Sequence, residues 1–354
     1  MMRKLMIAAV AVFAFAGWAS AAAKESTVTI LTQNMDAGTD QSYIVAAAQG
    51  YLVPAEAVDL TYAELTLSNL PGRASVLAAK IAEAKPDLVA LQECTLWRVA
   101  PEAGAPLVTL YDQLALLRGA LATLGAPYDV VAINTLNEFT LPGQSIAALS
   151  FTDRDVLLVR AGARPPELHF SDVHTHIFHA SLPFAGLVVR AGWIEAEVHL
   201  QNKHFRLATT HLESPVPGVP EATEVQVAQA RELLYELRNL PYPVVICGDF
   251  NSDANYSSGL PDSTPTAGLI VASGYAEGWG SLHPGDPGNT WPLYLEDRFP
   301  PDFGSFPAVP PIERIDLFFS RGVLPQSVDR VVLPASGTPP FASDHAGVMA
   351  TFRM

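Results

Sequence analysis

Short apolar runs rich in β-branched residues recur along the chain, and many of them end in polar residues. The clearest is Val244–Asp253, Val-Val-Ile-Cys-Gly-Asp-Phe-Asn-Ser-Asp, whose first four residues, preceded by Pro-Tyr-Pro, predict a fully buried strand. Thr27–Gln33, Asp87–Gln92, Tyr128–Ile133, Asp155–Arg160, Leu168–His176, Trp193–Leu200, His204–Thr210, Ile315–Ser320 and Gly347–Phe352 predict further strands, with Asn202-Lys203 as a hairpin turn. Helical spacing is found over Ala74–Ala84, closed by Lys85-Pro86, and over Leu110–Leu124, where Leu110, Leu114, Leu117, Leu121 and Leu124 share a face ahead of Gly125. A third helix is expected over Glu221–Asn239. A polar loop holding Asp153 and Arg154 is expected before Asp155, and residues 40–72 read only as short helical and loop pieces. Residues 252–311, dense in Gly, Pro, Ser and Asp, read as loop around a short helix near Thr266–Ser273. No internal repeat or linker divides the chain, so the pattern describes one domain of many strands and few helices.

The polar residues at the strand ends are Asn34, Asp36, Glu93, His211, Asp249, Asn251, Asp316, Asp344 and His345. Gly248 removes a side chain where its strand ends, which permits a sharp turn or a close approach. Asp249 and Asn251 are two residues apart, so in an extended segment both point the same way. For that stretch alone, an Asp/Asn turn after a strand explains the residues as well as chemistry does. Six strand ends with the same character favour chemistry. Converging carboxylates and carboxamides without thiolates suit a hard cation such as Mg²⁺, Mn²⁺ or Ca²⁺. Two histidines, each able to meet a carboxylate, suit acid–base work near neutral pH.

Asn34-Met35-Asp36, Leu91-Gln92-Glu93, Thr210-His211-Leu212, Gly248-Asp249-Phe250-Asn251, Arg314-Ile315-Asp316 and Ser343-Asp344-His345 resemble the ordered motif set of the endonuclease/exonuclease/phosphatase superfamily, the deoxyribonuclease I-like fold. The resemblance runs from about residue 27 to 353. It implies an α/β four-layer αββα sandwich with two packed, mostly antiparallel sheets and a site at one edge. By motif it implies Glu93 as principal metal ligand, assisted by Asn34, Asp36 and Asp344, with Mg²⁺ (or Mn²⁺/Ca²⁺) as the cofactor. It implies His345 as the catalytic histidine oriented by Asp316, with Glu313 as the other carboxylate in reach of that role. Asp249 would position or deprotonate water, Asn251 would hold the phosphate, and His211 would contact a phosphate oxygen or assist the leaving group. Asn289-Thr290-Trp291 resembles a family segment near the substrate, and Arg154 is either a phosphate clamp or a surface ion pair.

The N-terminus changes where this chemistry is expected. Arg3 and Lys4, the apolar run Leu5–Ala16 and Ala19-Ser20-Ala21 form a secretory signal pattern, so residues 1–21 read as a leader and 22–354 as the domain. The run is shorter than the ~20 residues that span a bilayer, and no transmembrane anchor is expected, so the mature protein is placed outside the cytoplasm. Hydrophobic content of 49% with 16% charged residues excludes wholesale disorder. Losing Arg3 and Lys4 takes the formal charge from −15 to −17, and an acidic surface repels polyanions, so a phosphate substrate needs local help from a cation. Cys94 and Cys247 lie at strand ends and read as inert buried thiols rather than a bridge. His174 and His176 share a strand face, but nothing nearby completes a metal site. Trp97, Trp193, Trp279 and Trp291 read mainly as core or rim packing. The function expected is a secreted metal-dependent phosphodiesterase acting on nucleic acid. The alternatives are the same chemistry on a phospholipid head group, as in sphingomyelinase-like members, and a non-catalytic binding protein on this fold.

Overall fold

Strand alternation decides the layering. In Thr27–Asn34, Leu88–Gln92 and Val244–Asp249 successive side chains point to opposite faces, and both faces are apolar. Ile30, Leu88, Ala90, Val245 and Cys247 join one cluster with Ile194, Phe205, Phe318 and Phe352, which fills the space between two sheets. Leu31, Val89 and Leu91 face the other way, onto Leu77 and Ile81 of the helix Leu70–Ala84 and Leu117 and Leu121 of the helix Gln113–Thr123. Val244 and Ile246 face outward onto Leu233 and Leu237 of the helix Pro220–Leu237 and Ile270 of the helix Thr266–Ala272. The result is the α/β sandwich of four layers.

The structure is a computed structural model that describes residues 27–39, 41–162, 168–184, 186–216, 219–255, 264–294, 308–331 and 341–354. The leader lies outside these residues. One sheet runs Pro325–Val331, Gly347–Arg353, Thr27–Asn34, Leu88–Gln92, Ala148–Arg160, Leu96–Ala100, Val108–Asp112, with Tyr128–Leu141 also paired to Ala148–Arg160. The other runs Ala276–Glu277, Asp316–Arg321, Val244–Asp249, Lys203–His211, Gly192–Leu200, Leu168–Ile177. Among these pairings only Thr27–Asn34 with Leu88–Gln92, and Lys203–His211 with Val244–Asp249, are parallel.

Several expectations are revised. Tyr128–Ile133 and Asp155–Arg160 are parts of one long hairpin, Tyr128–Leu141 with Ala148–Arg160, so Asp153 and Arg154 lie in a strand and not a loop. Leu110 lies in the strand Val108–Asp112, because Asp112 caps the following helix through the Ala115 N–H at 3.3 Å. Residues 40–72 hold the helices Ser42–Ala48 and Pro54–Leu67 and the start of a third. Arg154 is a buried brace and not an exposed pair: it donates to Asp112 at 2.6 Å and to the carbonyl of Cys94 at 2.8 Å. Cys94 and Cys247 are both free and fully buried.

Candidate active site

Topology gathers the polar strand ends. Parallel strands finish at the same edge, so Asn34 sits beside Gln92 in register, and His211 beside Asp249. The antiparallel neighbour Asp316–Arg321 begins at that edge, with Asp316 opposite Asp249, and Asp344 and His345 precede the antiparallel strand Gly347–Arg353. All nine sequence-predicted residues therefore meet at one end of the sandwich.

Their aim is set locally. Asn34 accepts the N–H of Asp36 at 2.8 Å, and Asp249 accepts the N–H of Asn251 at 2.8 Å, the same Asx turn at two strand ends. Ser343 does the equivalent for His345 at 3.0 Å. Asp36, Glu93 and Asn251 hold positive φ of 60°, 52° and 47°, a left-handed backbone that non-glycine residues seldom adopt outside functional turns. Gly248 has φ +147°, and a Cβ there would stand 1.8 Å from the Thr210 carbonyl oxygen, so the close approach expected at this glycine is present.

Asp249 is the meeting point. Its Oδ2 accepts the Asn34 amide at 3.0 Å and lies 3.7 Å from Nε2 of His211 and 3.8 Å from Nε2 of His345. The other nitrogen of His345, Nδ1, is 2.9 Å from Asp316 Oδ2, so Asp316 and not Glu313 is the carboxylate at the imidazole. Asn34 also donates to Glu93 at 2.8 Å, and Asn251 lies 3.0 Å from His211 Nε2. Asp36 is turned elsewhere: it pairs with Arg73 at 2.5 Å and accepts from the Tyr294 hydroxyl.

Burial and charge set the protonation of these groups. Burial opposes charge on His345, but Asp316, Asp344 and Asp249 outweigh it and hold the imidazole well above its ordinary pKa. The same contest on His211, against Asp249 and Glu93, ends at about 9. Burial pushes the Asp344 carboxyl up to about 7; His345 pulls it down, and Asp36 and Glu93 push it further up. Such mutual repulsion among buried carboxylates is what a bound cation relieves. Glu93, Asp344 and Asp249 carry the oxygen donors that suit a hard divalent ion, and among the described residues the ligand atoms of Asp249 and Asp316 also lie within 4.8 Å of one another beside His345.

Asp36, Glu93, His211, Asp249, Asn251, Asp344 and His345 line a cleft of about 620 Å³, and only the Trp291 part of its remaining wall was anticipated from the sequence. Asp153 faces it and is pushed up to about 6 by burial, with His211 opposing. Asp155 is fully buried, with neither carboxylate oxygen hydrogen-bonded, and burial raises it well above the ordinary range. Trp291 donates its indole N–H to Asp344 at 2.8 Å, and Thr290 accepts the N–H groups of Ile315 and Asp316 at 3.2 and 3.3 Å. The i, i+2 spacing of Asp153 and Asp155 was the available signal, hidden by placing Asp153 in a loop and Asp155 at the start of the next strand. His174 pairs with Asp172, and His176 stacks on Trp193 with centroids 4.3 Å apart, so neither forms part of the cleft.

Known proteins can now be set beside this geometry. A solved endonuclease/exonuclease/phosphatase from Beutenbergia cavernae superposes with a TM-score of 0.54 at 22% identity, covering 93% of this chain and 72% of that one. The D. rerio protein TDP2, solved with a single-strand DNA product, gives 0.51 at 16% identity, covering 93% of this chain and 100% of that one. A mannosyl-6-phosphatase from Bacteroides thetaiotaomicron gives 0.52 at 15% identity, covering 92% and 100%. Among curated proteins none matches the sequence. The profile of the Endonuclease/Exonuclease/phosphatase family matches residues 64–345, so the chain belongs to that family and is a metal-dependent phosphoric ester hydrolase.

Proposed function

We propose that the protein is a phosphodiesterase in which Asp249 delivers the attacking water. The observation that carries this reading is the position of Asp249 Oδ2, buried between two imidazoles and backed by the Asn34 amide at 3.0 Å. A carboxylate so placed orients water and accepts its proton as the bond to phosphorus forms. His345, kept cationic by Asp316, donates to a phosphoryl oxygen as charge builds there. His211, steadied by Asn251, faces the same volume and serves the leaving oxygen. Glu93 and Asp344 would hold the divalent cation, with Asn34 and Asp36 fixing the turn that presents them. When bound, that ion neutralises charge on the phosphoryl oxygens.

The lining favours a diester. Glu93, Asp153, Asp249, Asp253, Asp344, Glu213 and Glu313 line the cleft, with the Asp36 carboxylate already paired to Arg73, against Arg190 as the single lysine or arginine among the described lining residues. A monoanionic diester meets less repulsion there than a dianionic monoester. A long nucleic acid, which binds through many phosphates, would touch only a few groups here. A phospholipid-type diester is therefore carried as the second substrate reading beside short nucleic acid. The N-terminal leader pattern supports action outside the cytoplasm.

The test is hydrolysis of bis(p-nitrophenyl) phosphate with Mg²⁺, Mn²⁺ or Ca²⁺, then single-stranded DNA, RNA, plasmid and sphingomyelin. Wild type should turn over the diester only with metal, and Asp249→Asn should lose roughly 10²- to 10⁴-fold in kcat. Full activity in chelator, or an unimpaired Asp249→Asn variant, would overturn the reading.

A further inference from the structure

A second chamber of about 320 Å³ opens off the catalytic cleft. Gln41, Phe139, Phe151, Val189, Glu213 and Ser214 line both, so the two spaces are continuous. Away from that mouth the chamber is walled by Ile44, Val58, Trp97, Leu149, Leu182 and Leu187. These come from two helices, the face of one sheet and the small ribbon Leu182–Phe184 with Leu187–Val189. Phe139 and Phe151, which line both spaces and stack with ring centroids 6.5 Å apart, stand where the apolar wall reaches the acidic cleft, and Trp97 packs on Phe151 at 4.7 Å.

A packed interior does not keep such a space without cost, because the lining atoms lose dispersion partners. Apolar cavities of this size with a few polar groups at one end are characteristic of ligand sites. We infer that the chamber receives a hydrocarbon chain carried on one ester oxygen of the substrate, while the phosphate lies over Asp249 in the cleft. The proposal rests on the phosphodiesterase reading and names its substrate class. A nucleobase fits less well. Its edge nitrogens and oxygens need partners, and among the described residues away from the mouth Thr61 already donates to the Ala57 carbonyl at 2.9 Å and the Trp97 indole to the Ala37 carbonyl at 2.8 Å. A hydrocarbon chain makes no such demand. The acidic cleft agrees, since a single monoanionic phosphate carrying an apolar tail is the least repelled ester it could admit.

The experiment uses p-nitrophenyl alkyl phosphodiesters from methyl to dodecyl, held below their micelle-forming concentrations. Wild-type kcat/KM should rise roughly two- to fourfold per methylene and level off once the chamber is full. In Leu187→Glu, and separately in Val45→Trp at another residue of the chamber wall, the octyl-to-methyl ratio should fall at least tenfold. Calorimetric binding of methyl- and octylphosphonate to the same proteins supplies a readout that needs no turnover. Hydrolysis of the whole series with no chain-length dependence would overturn the chamber and leave the phosphodiesterase standing. No hydrolysis, with octylphosphonate bound more tightly than methylphosphonate and weakened by Leu187→Glu, would keep the chamber and sink the catalytic reading. A rise seen only above the micelle concentration and retained in both variants would mean surface adsorption, and would overturn the proposal. So would a thymidine p-nitrophenyl ester cleaved faster than the octyl ester.

Discussion

His345 Nδ1 lies 2.9 Å from Asp316 Oδ2, and His174 Nε2 lies 2.8 Å from Asp172 Oδ1. The two pairs match in distance and differ in everything else. His345 and Asp316 are 7% and 0% exposed, whereas His174 and Asp172 are about half exposed on the outer side of their sheet. The free nitrogen of His345 faces Asp249 and Asp344, at 3.8 Å each. Asp172 instead spends its other oxygen on Arg206 at 2.7 Å, whose hydrogen bond is the main cause holding that carboxyl low, with His174 second. Separation alone therefore does not make a working pair. Exclusion of water gives the buried pair its strength, and a third group facing the imidazole gives it a task.

The largest test of that contrast is kinetic. His345→Ala and Asp316→Asn should each lower kcat/KM by roughly 10²- to 10⁴-fold, and the double variant should be little worse than the poorer single one. Losses that multiply in the double variant would show that the two residues act separately.

A smaller effect isolates burial. Glu213 is buried, and burial lifts its carboxyl from 4.5 to about 7, with His211 and the Ser214 N–H pulling it down. Below pH 4.5 the group is protonated in folded and unfolded chains alike. As pH rises toward 7 the unfolded chain gives up its proton first, so this group's contribution makes stability fall, by at most about 3 kcal/mol. Urea unfolding at several pH values should show a flatter dependence for Glu213→Gln between 4.5 and 7. An unchanged slope would mean that burial does not govern this carboxyl. The smallest effect belongs to the outer pair: His174→Ala should stay within about 0.5 kcal/mol of wild type in stability and leave kcat/KM unaltered. A tenfold loss of activity would break the contrast.

The nine candidate site residues were legible because each stands at the polar end of an apolar strand, Asn34, Asp36, Glu93, His211, Asp249 and Asn251 at or after its last residue and Asp316, Asp344 and His345 at or before its first. The wall opposite them was not. Asn137 and Asp153 border the cleft from the long hairpin Tyr128–Leu141 with Ala148–Arg160, in the stretch that reads as polar loop, and Asn134 and Asp155 are buried in the same two strands. The apolar chamber was hidden for the opposite reason. Val58, Trp97 and Leu149 have the composition of ordinary core, and Pro54–Leu67 buries Ala57, Val58, Thr61, Glu64 and Leu65 at helical spacing, with Thr61 and Glu64 interrupting the apolar stripe. The edge strand Pro325–Val331 escaped notice because it begins with proline and a register shift after Pro325 leaves its buried residues, Pro325 and Val328, out of alternation. Asp36 has the spacing of a ligand, yet Arg73, far from any motif, claims its carboxylate.

The two cysteines carry a practical consequence. Burial pushes the thiols of Cys94 and Cys247 up to about 12, with Arg154 drawing the first down and Thr209 the second. Alkylating reagents attack the thiolate, so at neutral pH both native sulfurs are silent to a maleimide dye. With only two cysteines in the sequence, the natural chain is a blank background for labelling. A cysteine introduced in place of Leu187 would be the one reactive thiol, and protection of that thiol by an alkylphosphonate would read out the filling of the chamber directly.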